Sequence, residues 1–174
     1  MTSPSEDDIR TQIRRSDREI KDPDKIRAFL RRAQFGFIAS AIGDQPFINS
    51  NLFWYDEDNH RLYFHTSIEG RTRSNIEANP SVCFSIAEIG EFIPADTAIE
   101  FSNEYLSVCV FGSARIVNSE AEQRHGLNGL LSKYFPDLDA GEDFRAITKS
   151  ELDVTSVFSI AIESWSGKEK VNVA

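Results

Sequence analysis

The sequence predicts a mainly β domain with helices set between its strands, in which six antiparallel strands wrap into a closed or nearly closed barrel. Three observations lead there. Apolar stretches of strand length are separated by short turn-forming runs, GDQP at 43–46 and DEDN at 56–59, and short turns join antiparallel neighbours. Residues alternate between two faces along 46–55 and 154–163, the period of a half-buried strand. Helical spacing is confined to isolated segments near 22–33, 71–78 and 119–134, so helices decorate the sheet and do not build it.

Residues 1–16 are polar and charged, without an apolar period. They are read as a mobile or partner-dependent N-terminal arm, and 17–174 as a single domain. Arg10, Arg14, Arg15 and Arg18 make the start of the chain locally basic. A solvated helix face and a strap over a dimer partner are both open readings. Asp22-Pro23 starts a helix, with Asp as N-cap and Pro in the first helical position. The first strand is 35–42 and the second 46–55. In the second, Phe47, Asn49, Asn51 and Phe53 share one face and Ile48, Ser50, Leu52 and Trp54 the other. The third strand is 61–67. A short helix, 71–78, is closed by Asn79-Pro80. The fourth strand is 82–88, followed by a loop at 89–98. The fifth is 105–117, with Gly112 marking a bulge or bend. Ser119 and Glu122 predict a capping box for a helix striped by Leu127, Leu130, Leu131 and Tyr134. A loop at 135–143 precedes the sixth strand, 154–163, which runs into WSGK.

The formal charge of −9 repels nucleic acid and anionic membranes but not a small anion held at a local basic site. MTSPSEDDIR lacks the apolar segment expected of a signal peptide, and no apolar run approaches the roughly 18 residues that span a bilayer. Cys83 and Cys109 lie in apolar strands outside any CxxC pattern, which predicts buried, reduced thiols and a cytoplasmic protein. The expected partners therefore exclude nucleic acid and membrane. His60, His65 and His125 do not pair with ligands by spacing, so no metal site is expected. GxSxG, Walker and GxGxxG patterns are absent from the sequence.

Four features remain. In YFHTSIEGRTRSNIEANP (63–80), His65 and Thr66 end a strand, and Gly70-Arg71-Thr72-Arg73-Ser74 enters a helix. A helix N-terminus presents free N–H groups and partial positive charge, and arginine adds a fork matched to phosphate oxygens. A phosphate cradle is one reading; arginines paired to Glu69 and Glu77 are the other. Asn49, Ser50 and Asn51 interrupt an apolar strand and need polar partners, from a ligand, from across the barrel or from a second subunit. Trp165 is either packing or a wall for a planar ligand. Lys168 is either solvated or placed to meet an anion.

In their order, these features resemble the pyridoxamine 5′-phosphate oxidase-like FMN-binding split barrels, near the nitroimidazole-resistance flavoproteins. The likeness spans about Ile26 to Lys168. It rests on LYFHTSIEGRTRSNIEANPSVCFS, FINSN, SVCVFGSARIV and IESWSGK. It implies a six-stranded split β-barrel, a homodimer with FMN sites between subunits, and an FMN-dependent oxidoreductase acting on a small organic acceptor. A nicotinamide electron donor is a further implied partner. A flavin module without turnover and a heme-binding or heme-degrading barrel are the alternatives. By position, Arg71 is implied to hold the FMN phosphate with Thr66 and Thr72. Asn49, Ser50 and Asn51 are implied to line the flavin, with His65, Ser107 and Trp165 also touching the cofactor. Arg73 or Lys168 is the candidate for a further phosphate-binding cation, and His65, an imidazole that titrates near neutral pH, is the candidate proton donor or substrate contact. The oxidase that names the family has Ser-Arg-Lys where this chain has Gly70-Arg71-Thr72. It also carries an Arg- and His-containing segment that is not found after WSGK here. A different flavin reaction is therefore expected.

Overall fold

A computed structural model describes residues 6–171. Seven strands form one sheet: β1 Gly36–Ile42, β2 Gln45–Asn51, β3 Trp54–Asp56, β4 Arg61–Ser67, β5 Ser81–Ile93, β6 Ser102–Ile116 and β7 Thr155–Lys170. The helices are α1 Glu6–Thr11, α2 Pro23–Arg32, α3 Arg71–Ala78, α4 Glu120–Tyr134 and α5 Lys149–Leu152. The strand order is β2-β1-β5-β6-β7-β4-β3, and every pairing is antiparallel.

The order explains the split barrel. β2 and β3 are the two edges of the sheet, yet only Leu52 and Phe53 separate them in sequence. Two residues span at most about 7 Å, so the sheet must curl until its edges nearly meet. Phe53 fills the seam. It is fully buried, with its ring 4.9 Å from that of Phe84 on β5. This is also why there are seven strands and not the six expected: the predicted strand 46–55 breaks at Leu52-Phe53 as the chain crosses from one edge to the other.

Alternate residues of the strands face one core. Ile38, Phe84, Val110, Ile160, Leu62 and Phe64 line it, and Ile26, Phe29 and Leu30 of α2 close it. Asp22 caps α2 by accepting from the Asp24 N–H at 2.9 Å, with Pro23 in the first turn. The outer side of β4 is covered by α4, where Tyr63 and Val157 pack with Trp54 and Leu127. Phe111/Gly112 is a bulge. A Cβ on Gly112 would lie 2.1 Å from the Ala161 carbonyl oxygen, so only glycine fits there.

Other expectations change. Ser119 precedes α4 but makes no side-chain cap. Glu122 instead accepts from Tyr63 Oη at 3.0 Å and Arg115 Nη2 at 2.5 Å. The capping box is at Thr148 and Glu151, on the unpredicted α5. The expected loop at 89–98 is shortened, because β5 runs to Ile93 with an irregularity between Ile89 and Phe92. β7 passes through WSGK to Lys170 and does not end before it. The described part of the N-terminal arm includes α1, where Arg10 Nη1 meets Glu163 Oε2 at 3.4 Å; residues 1–5 lie outside the described residues. Among the described residues no helix is long and apolar enough to cross a membrane.

Candidate functional site

The strand β4 delivers the chain to the N-terminus of α3 through Gly70, whose φ of 148° and ψ of 168° belong to a region that glycine alone adopts readily. The first turn of α3 has no side-chain cap and no acidic residue, so its N–H groups and partial positive charge are open to an anion. Arg71 stands at this end. It is exposed, lies over the Phe47 ring at 4.8 Å, and has no carboxylate partner among the described residues. Arg73 is spent differently. Its Nε donates to Glu77 at 2.9 Å and its Nη1 to Ser156 at 2.8 Å. The two readings of this corner therefore divide between its arginines: Arg73 makes the local ion pair and Arg71 is left for a ligand.

Thr72 and Asn75 fix α3 against the barrel. Asn49 Nδ2 donates to the buried Thr72 Oγ1 at 3.3 Å, and Asn75 Nδ2 donates to Ser40 Oγ at 2.9 Å within the interior. Asn51 Nδ2 reaches the Asn49 carbonyl at 3.4 Å. Asn49 faces inward opposite Ile38, whereas Ser50, opposite Phe37, faces outward. The polar interruption of β2 thus serves two faces. Thr66 Oγ1 donates to the Ser67 carbonyl at 2.8 Å, and Thr66 pairs with Ser156, which brings it to the same end of the barrel as Arg73.

His65 points the other way from Thr66. It borders a cavity of about 360 Å³ between β4 and α4, with Leu52, Leu127, Leu131, Tyr134 and Phe135 as its apolar wall. Its surroundings desolvate the ring and lower its pKa below the ordinary imidazole value, although one edge stays open to solvent. No hydrogen bond satisfies it among the described residues. The α4 stripe read from the sequence as core is therefore in part the lining of a pocket. Phe135, 54% exposed just past the helix end, is the signal that could have revealed it.

The remaining candidates lie elsewhere. Ser107 and Lys168 are cross-strand partners on the outer face. Trp165 faces the core, its ring 4.9 Å from His60 and 5.6 Å from the Arg27 guanidinium. Ser156, beside Thr66, and Trp165 are nine residues apart along β7, or about 30 Å at strand rise. One protomer thus brings Asn49, Asn51, Thr66, Arg71 and Thr72 to one end of the barrel. His65 stands on the other side of β4, and Trp165 and Lys168, with Ser107 opposite Lys168, lie toward the far end of β7 from Ser156. Cys83 and Cys109 are half-buried, not enclosed as expected. Among the described residues no group of three or more His, Cys, Asp or Glu side chains is placed to hold a metal ion.

The family model for pyridoxamine 5′-phosphate oxidase matches residues 22–169. No match is found among curated proteins. Among solved structures, the flavocytochrome Anf3 from Azotobacter vinelandii superposes with a TM-score of 0.83 at 23% identity, over 94% of this chain and 74% of that one. An FAD- and heme-binding protein from Mycobacterium smegmatis gives 0.79 at 19% identity, over 89% of this chain and 74% of its own. An FAD-binding protein from Mesorhizobium loti gives 0.63 at 21% identity, over 89% and 97%. At these identities the likeness is one of fold.

Proposed function

This chain belongs to the pyridoxamine 5′-phosphate oxidase family, and on that premise we propose that it binds FMN by its phosphate at the N-terminus of α3 and reduces a small organic acceptor. The observation that carries this reading is the uncapped first turn of α3 beside an arginine with no carboxylate partner. The donor set suits a phosphate: a guanidinium fork and free backbone N–H groups. Bound flavin supplies hydride transfer. Arg71 and the α3 N-terminus anchor the phosphate. Asn49 and Thr72 hold each other in place, and Asn51 offers its amide to the ring or ribityl chain. The acceptor occupies the cavity under α4, which meets the flavin side of the barrel at Leu52, next to Asn51, and there the desolvated His65 donates or takes the proton. A volume of about 360 Å³ is in the range of small-molecule sites.

The separation of Ser107, Trp165 and Lys168 from Arg71 supports a homodimer. A site that uses both groups must take one from each of two copies. The outward apolar side chains Phe35, Phe37 and Ile48, respectively 53%, 43% and 64% exposed, supply surface for such contact. The cytoplasm is the proposed location, since both thiols are free.

Titration of the purified chain with FMN and FAD tests the cofactor, and absorbance at the flavin band during NADH addition tests turnover. The reading expects FMN to bind more tightly than FAD, bound flavin to bleach, and an added quinone or nitro compound to restore it. Bound flavin that no donor reduces would leave a carrier or sensor in place of a reductase. Light scattering should give a dimeric mass at micromolar concentration; a monomer would remove the shared site.

One observation favours heme as a second reading. His125 Nε2 lies 2.7 Å from Oδ2 of the buried Asp56, the carboxylate–histidine arrangement that orients metal-ligating imidazoles. Two of the solved relatives named above are a flavocytochrome and an FAD- and heme-binding protein. A Soret shift on heme addition, lost in His125→Ala, would establish it; an unchanged spectrum would dismiss it.

A further inference from the structure

Leu52, Leu127, Leu130, Leu131, Phe135 and Ile147 supply the apolar lining of the cavity between β4 and α4. Most polar side chains that reach this lining are engaged with other protein groups. Tyr134 Oη accepts from the Phe53 N–H at 3.1 Å and donates to the Gln34 carbonyl at 2.6 Å. Thr155 Oγ1 donates to the Glu151 carbonyl at 2.7 Å. The two Glu151 carboxylate oxygens accept from the Arg145 guanidinium at 2.9 and 3.0 Å, and Oε2 also accepts from the Thr148 N–H at 2.7 Å. The cations of α4 beside the cavity are engaged as well. Arg124 holds Glu120 at 2.7 Å and the Ile147 carbonyl, and Lys133 Nζ donates to the Phe53 carbonyl at 2.9 Å. His65 is the one polar side chain of the lining without a hydrogen bond among the described residues. Desolvation lowers its pKa, so its ring is uncharged at neutral pH.

We propose that this cavity selects uncharged, apolar molecules that carry one hydrogen-bonding oxygen, which His65 engages, and that it rejects carboxylates and ammonium ions of the same size. As the identity of the acceptor, this rests on the flavin-dependent reading above; as a ligand class for the cavity, it stands on the lining alone. An ion entering here leaves water without gaining a free counter-ion among the described residues. A carboxylate meets Glu151 and a chain of net charge −9. An ammonium must displace Arg145 from Glu151, replacing a two-bonded guanidinium fork by a point charge. A neutral oxygen meets neither obstacle and gives the imidazole the partner it lacks.

The lining also sets how affinity divides between the two ends of such a ligand. Each methylene moved from water onto the leucine wall should tighten binding roughly fourfold, up to the length at which the volume of about 360 Å³ is filled. The hydrogen bond to His65 should add about 2- to 12-fold. A charge at the polar end should cost at least about tenfold.

The test uses N-phenyl-1-naphthylamine, an uncharged dye whose fluorescence rises in apolar surroundings, bound to the full chain at neutral pH. It is displaced in turn by 1-octanol, 1-hexanol, octanoate and octylammonium. 1-Octanol should bind at least about tenfold more tightly than either ion and roughly 15-fold more tightly than 1-hexanol, which has two methylenes fewer. His65→Ala should weaken both alcohols by the same about 2- to 12-fold. Ile147→Trp, which fills the cavity from its loop before α5, should abolish dye binding. Leu131→Trp is the second filling variant, and thermal melting shows that each is folded. Dye binding that survives in the folded filling variants, either ion binding as tightly as 1-octanol, or alcohols that bind His65→Ala unchanged would overturn the proposal. FMN is titrated into the same chain separately. Alcohol binding without FMN binding removes the flavin reading and keeps the ligand class of the cavity; FMN binding with no displacement by alcohol overturns the ligand class alone.

Discussion

Replacing Arg71 by Ala should weaken FMN binding strongly while scarcely changing stability, and replacing Arg73 by Ala should do the reverse. Arg71 is exposed, and its guanidinium lies over the Phe47 ring at 4.8 Å. Losing a cation–π contact at an exposed site costs about 0.5–1 kcal/mol. A charge-assisted hydrogen bond to phosphate is worth about 1.5–3 kcal/mol, so the dissociation constant should rise roughly 10- to 150-fold. Arg73 holds Glu77 and the buried Ser156 hydroxyl. Its removal should cost about 1–3 kcal/mol of stability and lower Tm by several degrees, at roughly 2–4 °C per kcal/mol for a chain of this size. Flavin fluorescence titration and thermal melting of both variants give the comparison. Unchanged FMN affinity in Arg71→Ala, or a larger loss in Arg73→Ala, would refute the assignment of the phosphate to Arg71.

Three further outcomes follow from the fold. Asp56 is buried, and hydrogen bonds from His125 and Asn59 outweigh desolvation to hold its pKa below the usual carboxylate value. Its stabilising contribution is therefore complete above the unfolded carboxylate pKa and is lost as pH falls through the folded value; Asp56→Asn should flatten that acid limb in Tm-versus-pH scans. A Cβ on Gly129 would lie 2.1 Å from Trp54 Cε3, so Gly129→Ala should destabilise by about 1–3 kcal/mol through overpacking, read by urea unfolding. Asn75→Ala strands the buried Ser40 hydroxyl and should cost about 1–3 kcal/mol. The double variant with Ser40→Ala should recover part of it.

The sequence revealed most of the fold because its strands alternate cleanly and its turns carry their usual residues. The β2–β3 break escaped because Leu52 and Phe53 continue the alternation across the seam; only the sheet order shows that the chain changes edge there. Ser119 looked like a cap, but Glu122 is drawn to Tyr63 and Arg115 instead. Within the site, the Gly70-Arg71 entry to α3 was legible from local chemistry. The division of labour between Arg71 and Arg73 was not, because Ser156 is distant in sequence. The α4 cavity was hidden since a stripe of leucines reads the same whether it meets core or pocket.

The central claim is that the N-terminus of α3 with Arg71 holds a flavin through its phosphate. Equilibrium dissociation constants of the full chain for FMN and for riboflavin, measured side by side, test it most directly. FMN should bind roughly tenfold or more tightly than riboflavin. Equal affinity for the two, or no binding of FMN, would contradict the account.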